Sequence, residues 1–338
     1  MAESTPYGTV LLGEDAAVSA AWKRFDAQPV DLEMPDREPG YSALETTLGR
    51  AVSATGPGTF FGRAQRTLAF HPAREGGWRF DRTDLGESMP IAVCPANIWT
   101  TVRNIVLACG SPHNYMRMVE HIIALRSGLG VDHVVIRMDS GDPPLFERSS
   151  MPLVEAFDAA GLVELDRPAQ WVTVREPVTV AAPNGSFLTF LPAEDGQKRL
   201  SLDCAIHFPT AIGRQRIRFD VSPRTFRHGA QARTNTTFMM MLYVKTLGKL
   251  FADTRHLGYS TRNILVAGRR RYINPPLLMH NGKSLEAAWH RATLDLLAAV
   301  AMIDRGRFCG RILSYKAGHA LDCRAVQALG EGDWLVPV

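Results

Sequence analysis

The chain has 338 residues, of which 46% are hydrophobic and 21% are charged, close to the globular average and unlike disordered, collagenous or coiled-coil proteins. Its formal net charge of +4 is too small to indicate nucleic-acid binding without a clustered patch, and we expect no nucleic-acid partner. The one dense basic run, residues 269–271 (RRR), is typical of a solvated strand end. No stretch approaches the roughly 20 apolar residues of a membrane span, so we expect no transmembrane segment.

The cysteines and the amino terminus predict a cytoplasmic protein. The five cysteines are odd in number, are widely spaced and include no CxxC pair, a pattern typical of reduced thiols. Glu3, Glu14 and Asp15 bracket the apolar part of the first 25 residues, so the basic-then-apolar layout of a signal peptide is missing.

The first half of the chain alternates predicted strands and helices. Residues 1–45 are rich in Asp, Glu and Pro after Phe25, and we expect them to form an extension outside the core. Alternating, β-branched and helix-periodic patterns follow. In chain order they predict strands over 66–70 and 78–80, a helix over 118–127, a strand over 131–138 and a helix over 152–160.

The second half repeats the order of strands and then helices. It predicts strands over 171–180, 187–191, 202–208 and 215–219, followed by helices over 285–302 and 318–329. This repeated order predicts an α+β fold with two similar domains, each a β-sheet packed with helices. Pro168 interrupts the pattern, so we place the domains at 46–165 and 166–338.

An apolar segment, TTFMMMLYVKTLGKL over residues 236–250, stands out within the second half. The simpler interpretation is a core helix. The alternative is a lipid-contacting insert, because methionines adapt to flexible chains. On the pattern alone, we favour the core helix.

Three places in the sequence offer catalytic chemistry. Glu120 and His121 are adjacent, and a carboxylate beside an imidazole can act as a general base next to a metal ligand, although a surface pair is the default. Lys316 and His319 lie on a Gly-containing turn before a helix, where anions bind readily, although a structural histidine is equally consistent. Asp295 lies in an apolar helical segment, where a carboxylate requires a partner such as Arg291 or a metal.

The ordered motifs resemble those of the UDP-3-O-acyl-N-acetylglucosamine deacetylase family. Residues 118–132 (MVEHIIALRSGLGVD) resemble its signature VEHLLAAL.GLGID, and residues 316–321 (KAGHAL) resemble KSGHALN. Further likenesses, in chain order, are residues 56–58 (GPG), 80–84 (FDRTD), 143–149 (PPLFERS), 232–234 (ART) and 257–263 (LGYSTRN). The resemblance covers roughly residues 46–330.

The resemblance implies a zinc-dependent hydrolase of lipid A biosynthesis that removes the 2-N-acetyl group of an acylated UDP-amino sugar. It implies two similar α+β domains with the active site at their interface. An apolar insert near 232–273 would contact the acyl chain, which reverses the preference for a core helix. We expect a monomer and no partner other than this sugar nucleotide or a related small molecule.

The resemblance also implies roles for individual residues. Glu120 would be the base, and His319 the acid that protonates the leaving amine. Thr234 would help to hold the tetrahedral oxyanion. Lys316 would lie near the nucleotide diphosphate, and His121 would bind Zn²⁺.

The rest of the implied zinc site departs from the family pattern HKxLDxxGD. Residues 289–299 read WHRATLDLLAA, so an ungapped alignment on Asp295 puts Arg291 at the ligand position and Ala299 at the second Asp, which orients the acid. His290 comes one residue too early. Residues five apart on an α-helix differ by about 140° in heading, so His290 joins His121 and Asp295 as a metal ligand only if a π-bulge lies between them.

Two alternatives to the zinc deacetylase follow from these departures. The first is a non-catalytic or repurposed relative that binds an acyl or nucleotide-sugar ligand or a protein partner. The second is a metal-free reaction that uses Glu120 and His319, with Arg291 bridging Asp295 and Glu120 in place of zinc. If His290 is not the third ligand, the candidates by residue type are His113, His133 and His280. Three further departures are Phe60, Asn235 and the pair Glu147-Arg148.

Overall fold

A computed structural model describes residues 5–36, 40–87, 89–248 and 256–338 and shows an α+β fold. The elements up to residue 168 are β1 (Thr9–Leu12), α1 (Asp15–Asp26), β2 (Leu32–Met34), β3 (Leu44–Leu48), β4 (Val52–Pro57), β5 (Gln65–Pro72), β6 (Trp78–Arg82), β7 (Ile91–Ala92), β8 (Ile98–Thr100), β9 (Val106–Ala108), β10 (Tyr115–Arg117), α2 (Glu120–Leu129), β11 (Val134–Met138), α3 (Met151–Ala160) and β12 (Leu162–Pro168).

The later elements begin with seven strands and two helices, of which β18, α5 and β19 lie within the predicted insert. They are β13 (Trp171–Val174), β14 (Val178–Ala181), β15 (Phe187–Leu191), β16 (Leu200–His207), β17 (Arg214–Asp220), α4 (Pro223–Gly229), β18 (Thr234–Thr237), α5 (Phe238–Lys245) and β19 (Ile264–Ala267). The chain continues with β20 (Met279–His280), β21 (Lys283–Ser284), the three-part helix α6 (Glu286–His290, Arg291–Leu296 and Leu297–Ala301), β22 (Arg307–Phe308), β23 (Gly310–Tyr315), α7 (His319–Glu331) and β24 (Leu335–Pro337).

Two large sheets organise the fold. The first has five strands in the order β4-β5-β11-β6-β7, and the second has seven in the order β1-β14-β15-β23-β16-β17-β2. In the five-stranded sheet only β6 and β11 are parallel neighbours. In the seven-stranded sheet three neighbouring pairs are parallel, namely β1 with β14, β16 with β23, and β17 with β2. The predicted strand over 171–180 is in fact two strands, β13 and β14, because the exposed pair Arg175-Glu176 separates them.

Helices α2 and α6 pack against each other within the largest core cluster. Helix α2 starts two residues later than predicted because Met118 has a positive φ of 54°, and it ends at Gly130, whose φ of 69° is the left-handed cap that glycine favours. Every residue of α6 is buried, which makes this helix the centre of the core. The α2–α6 contact fixes the position of the candidate site.

The prediction that residues 1–45 lie outside the core is wrong for most of that segment. Strand β1 pairs with one edge of the seven-stranded sheet and β2 pairs with the other. Helix α1 buries Val18, Ala21 and Phe25, and the Phe25 ring packs edge-on to Phe187 of β15. Because these side chains are apolar and regularly spaced, the segment covers the sheet and belongs to its core.

Two other predictions concern cysteines and membranes. All five cysteines lie in the described residues and are free thiols, as the sequence predicts. In the part of the chain that the structure describes, no helix combines the length and the apolar character needed to cross a bilayer.

Candidate active site

The start of α2 places Glu120 and His121 beside the core. The Glu120 side chain is almost fully buried, and its Oε1 atom accepts a hydrogen bond from the backbone N–H of Ile105. Its Oε2 atom is buried and has no hydrogen-bond partner among the described residues. Burying a carboxylate oxygen without a hydrogen bond destabilises the folded protein unless the oxygen binds a proton or a ligand. Oε2 of Glu120 is therefore a candidate base.

Helix α6 contains the π-bulge on which the candidacy of His290 depends. Residues Arg291–Leu296 are π-helical, between two α-helical segments. With i→i+5 hydrogen bonds, residues five apart return to the same face of the helix. Nδ1 of His290 lies 3.5 Å from Oδ1 of Asp295. The π-helical turn on which the candidacy of His290 depends is therefore present, and Asp295 lies beside the Nδ1 edge of the His290 ring.

The imidazoles of His121 and His290 meet across the α2–α6 contact. Their Nε2 atoms are 3.1 Å apart. The hydroxyl oxygen of Thr234, from β18, lies 3.3 Å from Nε2 of His121 and 3.0 Å from Nε2 of His290. On the other side of its ring, Nδ1 of His121 lies within 3.5 Å of the hydroxyls of Ser149 and Ser150. The Nε2 atoms of both histidines therefore lie within hydrogen-bonding distance of the same Thr234 hydroxyl.

His319, the first residue of α7, completes the cluster. Its Nε2 atom lies 3.9 Å from Oε1 of Glu120, and its Nδ1 atom lies 3.8 Å from Oδ1 of Asp295. Nδ1 of His319 and Oδ1 of Asp295 are both buried without a hydrogen-bond partner among the described residues. Every residue predicted as catalytic or metal-binding, apart from Lys316, therefore belongs to one connected group.

The pKa values of four ionisable groups in the cluster shift in different directions. Burial lowers the pKa of His121 to about 3, with His290 acting in the same direction, so the imidazole is neutral. Burial raises the pKa of Glu120 against the opposing effect of His319. For Asp295, the raising effect of burial is outweighed by His319 and His290, and the pKa falls below its usual value. For His319, the lowering effect of burial is outweighed by Asp295 and Glu120, and the pKa rises.

The side chains at this contact include residue types that bind zinc. As they are placed, however, no group of three or more His, Cys, Asp and Glu donors in the described residues is arranged to hold a metal ion. The reason is that Asp295 contacts Nδ1 of His290, whereas Nε2 of His290 faces His121. However, two imidazoles and one carboxylate match known zinc ligand sets, and Nε2 atoms 3.1 Å apart are close to the separation of about 3.3 Å for two ligands on a tetrahedral Zn²⁺. Oδ1 of Asp295 is buried beside two imidazoles without a hydrogen bond to either among the described residues, so it keeps the capacity to bind a cation.

The expectation that Arg291 bridges Asp295 and Glu120 is wrong. Its guanidinium is buried and pairs with Oδ1 of Asp322 at 2.5 Å, while its Nε donates to the carbonyl of Ala317 at 2.8 Å. The π-bulge turns Arg291 away from the position that the ungapped alignment gives it. Arg291 therefore binds the backbone of the turn before His319, through the carbonyl of Ala317, and does not lie among the candidate metal ligands.

The other histidines considered as ligands lie elsewhere. His133 contacts Glu45 at 3.0 Å and accepts from the backbone N–H of Gly77, and His280 contacts the neighbouring Asn281. His113 is exposed in the β9–β10 connection.

The remaining departures from the family pattern have local explanations. The Phe60 ring stacks under the guanidinium of Arg117, whose carbon is 3.7 Å from the ring centroid. Glu147 pairs with Arg262 at 3.3 Å. Ala299 is buried in α6, and Asn235 lines a cleft beside the cluster.

That cleft has a volume of about 560 Å³ and opens onto the cluster. Lys316, Arg324 and His207 line it together with Asp295 and His319. Lys316 is exposed and has a positive φ of 52°, a strained conformation that directs the turn before α7. A cleft with cationic walls beside a buried base suits an anionic substrate.

Sequence reasoning missed two contributors, Asp322 and the Ser149–Ser150 pair. Asp322 is fully buried, and the sequence signal for it was the buried cation Arg291, which requires a carboxylate partner. The serines lie in the turn before α3. The available signal for Ser149 was its place at the end of the family-like segment 143–149, whereas no pattern distinguishes Ser150 from other loop hydroxyls.

The cluster brings together three histidines and two buried carboxylates, which are the residue types of hydrolase sites that activate water. Residues 45–331 match the family of UDP-3-O-acyl N-acetylglycosamine deacetylases, and the chain belongs to that family. Among similar curated proteins are the UDP-3-O-acyl-N-acetylglucosamine deacetylases of Brucella ovis, Brucella canis and Brucella melitensis biotype 2. Each is 29% identical over 291 residues, which cover 85% of this chain and 96% of the relative.

Proposed function

We propose that the protein is a zinc-dependent deacetylase that removes the 2-N-acetyl group of a UDP-3-O-acyl-N-acetylglucosamine-like substrate in lipid A biosynthesis. The family match and the names of the relatives support this reaction. We further propose that the two large sheets belong to two similar domains, residues 46–165 and 166–338, with the site between them. The α2–α6 contact, which brings together residues 121 and 290, supports that arrangement.

The observation that carries the proposal is the restored His290–Asp295 face. His121, His290 and Asp295 are the residues that would hold the metal. When bound there, Zn²⁺ lowers the pKa of water and polarises the amide carbonyl. The fit rests on Oδ1 of Asp295, which has no hydrogen-bond partner among the described residues, and on the 3.1 Å separation of the two Nε2 atoms.

The chain's own residues provide the proton transfers. Oε2 of Glu120 is buried and free, so it can accept a proton from the attacking water as the new C–O bond forms. His319, whose pKa is raised, can donate a proton to the nitrogen as the C–N bond breaks, which yields acetate and the amine. The Thr234 hydroxyl lies between the two imidazoles and is placed to donate to the oxyanion. Lys316 lines the cleft in which an anionic diphosphate would lie.

The same geometry argues against the repurposed relative. The π-helical turn in α6 brings Asp295 to His290, and such bulges occur frequently at functional sites, which favours a retained reaction over a repurposed relative.

The test compares two histidine variants near α6. We expect purified protein to bind about one zinc per chain, the number for a single catalytic site, and to release acetate from a UDP-3-O-acyl-N-acetylglucosamine. His290→Ala should abolish both. The control is His228→Ala, because His228 packs on the Trp289 ring at 4.8 Å and has no place in the cluster. Equal zinc content in the two variants, or acetate release without metal, would contradict the proposal.

A further inference from the structure

An exposed apolar helix with an arginine rim stands apart from the catalytic cluster. We define the arginine-rimmed surface as α5 (Phe238–Lys245) together with the exposed turn 269–271. No residue of α5 is buried, although seven of its eight residues are apolar or aromatic. Met239 and Met240 are 69% and 54% exposed. Apolar patches of this kind on a protein surface mark interaction sites.

The backbone fixes the arginines beside the start of α5. Strand β18 runs directly into α5, and its last residue, Thr237, pairs with Ala267 at the end of the parallel strand β19. The next residue, Gly268, donates its N–H to the carbonyl of Arg271 and closes a tight turn. Phe238, Met239 and the three arginines line one shallow depression. The apolar and cationic parts are therefore one continuous surface.

The three arginines lack the partners that their neighbours have. Arg262 pairs with Glu147, and Lys245 donates to the carbonyl of Tyr259. Within the described ranges, no carboxylate forms an ion pair with Arg269, Arg270 or Arg271. The sequence of residues 232–273 contains eight Lys and Arg and a single Asp, a net charge of +7. The whole chain carries +4, so the remainder carries −3, and the positive charge is concentrated in this segment.

The exposed apolar residues cover more than half of the circumference of α5. At 100° per residue, the exposed side chains of 238, 239, 240, 242 and 243 have headings from 0° to about 200° around the helix axis. A single acyl chain bound along the helix would contact one side of it. The other side needs a broader apolar partner, and the arginine rim requires that this partner also carry negative charge.

We propose that the arginine-rimmed surface docks the protein onto an anionic lipid bilayer. The α5 side chains would enter the boundary between headgroups and acyl chains, while Arg269, Arg270 and Arg271 contact lipid phosphates. A helix of eight residues is too short to span a bilayer, so the protein lies on the surface. Each basic residue near an anionic leaflet strengthens binding, and three of them together contribute roughly 100-fold in affinity.

Vesicle flotation with the full chain tests this proposal without any sugar nucleotide, so its outcome is separate from that of the zinc experiment. Wild-type protein should float with phosphatidylcholine vesicles that contain 30% phosphatidylglycerol, and should not float with pure phosphatidylcholine. The triple change Arg269→Gln, Arg270→Gln and Arg271→Gln should weaken binding on the order of 100-fold.

A matched control loses the same charge elsewhere. The control replaces three exposed arginines outside the surface, with the changes Arg74→Gln, Arg305→Gln and Arg311→Gln. Vesicle binding should stay within about threefold of wild type, because Arg269, Arg270 and Arg271 still contact the lipid phosphates. Met239→Ser with Met240→Ser should weaken binding while the net charge is unchanged. Loss of binding in the control, wild-type binding by the rim variant, or a dimer that buries the methionines in sedimentation analysis would overturn the proposal.

Discussion

The buried pair Arg291–Asp322 gives a strong test of how α6 is arranged. The change Arg291→Met keeps an apolar stem in the core and removes the guanidinium. It deletes hydrogen bonds to the carbonyl of Ala317 at 2.8 Å, to the hydroxyl of Ser314 at 3.3 Å and to Asp322 at 2.5 Å. It also leaves the Asp322 carboxylate fully buried without its cation.

The size of the effect follows from that orphaned carboxylate. Removing one partner of a buried ion pair costs about 3–5 kcal/mol. Asp322 can escape the penalty by binding a proton, because burial raises its pKa to about 6 even against the opposing effect of Arg291. We therefore expect Arg291→Met to cost about 3–5 kcal/mol at pH 8 and only about 1–2 kcal/mol at pH 5, where lost hydrogen bonds remain.

Urea unfolding at both pH values, with a chelator present, measures these free energies. The double variant Arg291→Met with Asp322→Asn should recover about 2 kcal/mol at pH 8, because no charge is left unpaired. If Arg291→Met costs less than 1 kcal/mol at pH 8, or if the double variant is no more stable than the single one, Arg291 does not pair with Asp322 and the placement of α6 is wrong.

Two further predictions concern the same region. Asp322 has a folded pKa of about 6 against an ordinary value of 3.8, so its contribution to stability is fully present below pH 3.8 and is lost as pH rises through 6. Wild type should therefore lose about 2 kcal/mol relative to Asp322→Asn between pH 4 and pH 7. A pH-independent difference between the two in chelator-treated urea unfolding would contradict this. Thr234→Val should reduce the deacetylation rate constant about 10²- to 10³-fold with zinc content unchanged, as measured by acetate release and metal analysis, and an unchanged rate would exclude Thr234 as an oxyanion donor.

The sequence predicted the parts of the site that depend on local pattern. Glu120 and His121 begin an apolar helix that ends at glycine, and His319 opens a helix after a Gly-containing turn, so spacing placed these residues on their elements but did not distinguish them from surface or structural residues. The α+β class followed from the repeated order of strands and helices. The family resemblance added roles for these residues that no spacing rule supplies.

The parts that failed depend on contacts between distant segments. Nothing local in residues 9–34 shows that β1 and β2 would pair with the two edges of one sheet, because strand pairing over more than 160 residues leaves no periodic signal. Arg291 was misplaced for a related reason. An ungapped alignment assumes 3.6 residues per turn throughout α6, and the π-helical residues break that assumption.

The π-bulge itself depends on packing that one glycine permits, which gives a last prediction. Thr293, within the bulge, donates its hydroxyl to the carbonyl of Trp289 and lies against Gly229 of α4. A Cβ atom added at Gly229 would lie 2.3 Å from Cγ2 of Thr293, so Gly229→Ala must push the bulge aside. We expect a loss of about 1–3 kcal/mol and a marked fall in zinc content, although Gly229 contacts none of the metal donors.

The control for this change is Gly330→Ala in α7, where an added Cβ meets no atom within 4 Å. Because alanine favours the helix over glycine, this variant should gain up to about 1 kcal/mol and keep its zinc. Thermal unfolding and metal analysis of both variants separate the two effects. If Gly229→Ala lowers stability but retains full zinc, the geometry of His290 and Asp295 does not depend on the bulge, and the central argument for a restored ligand set fails.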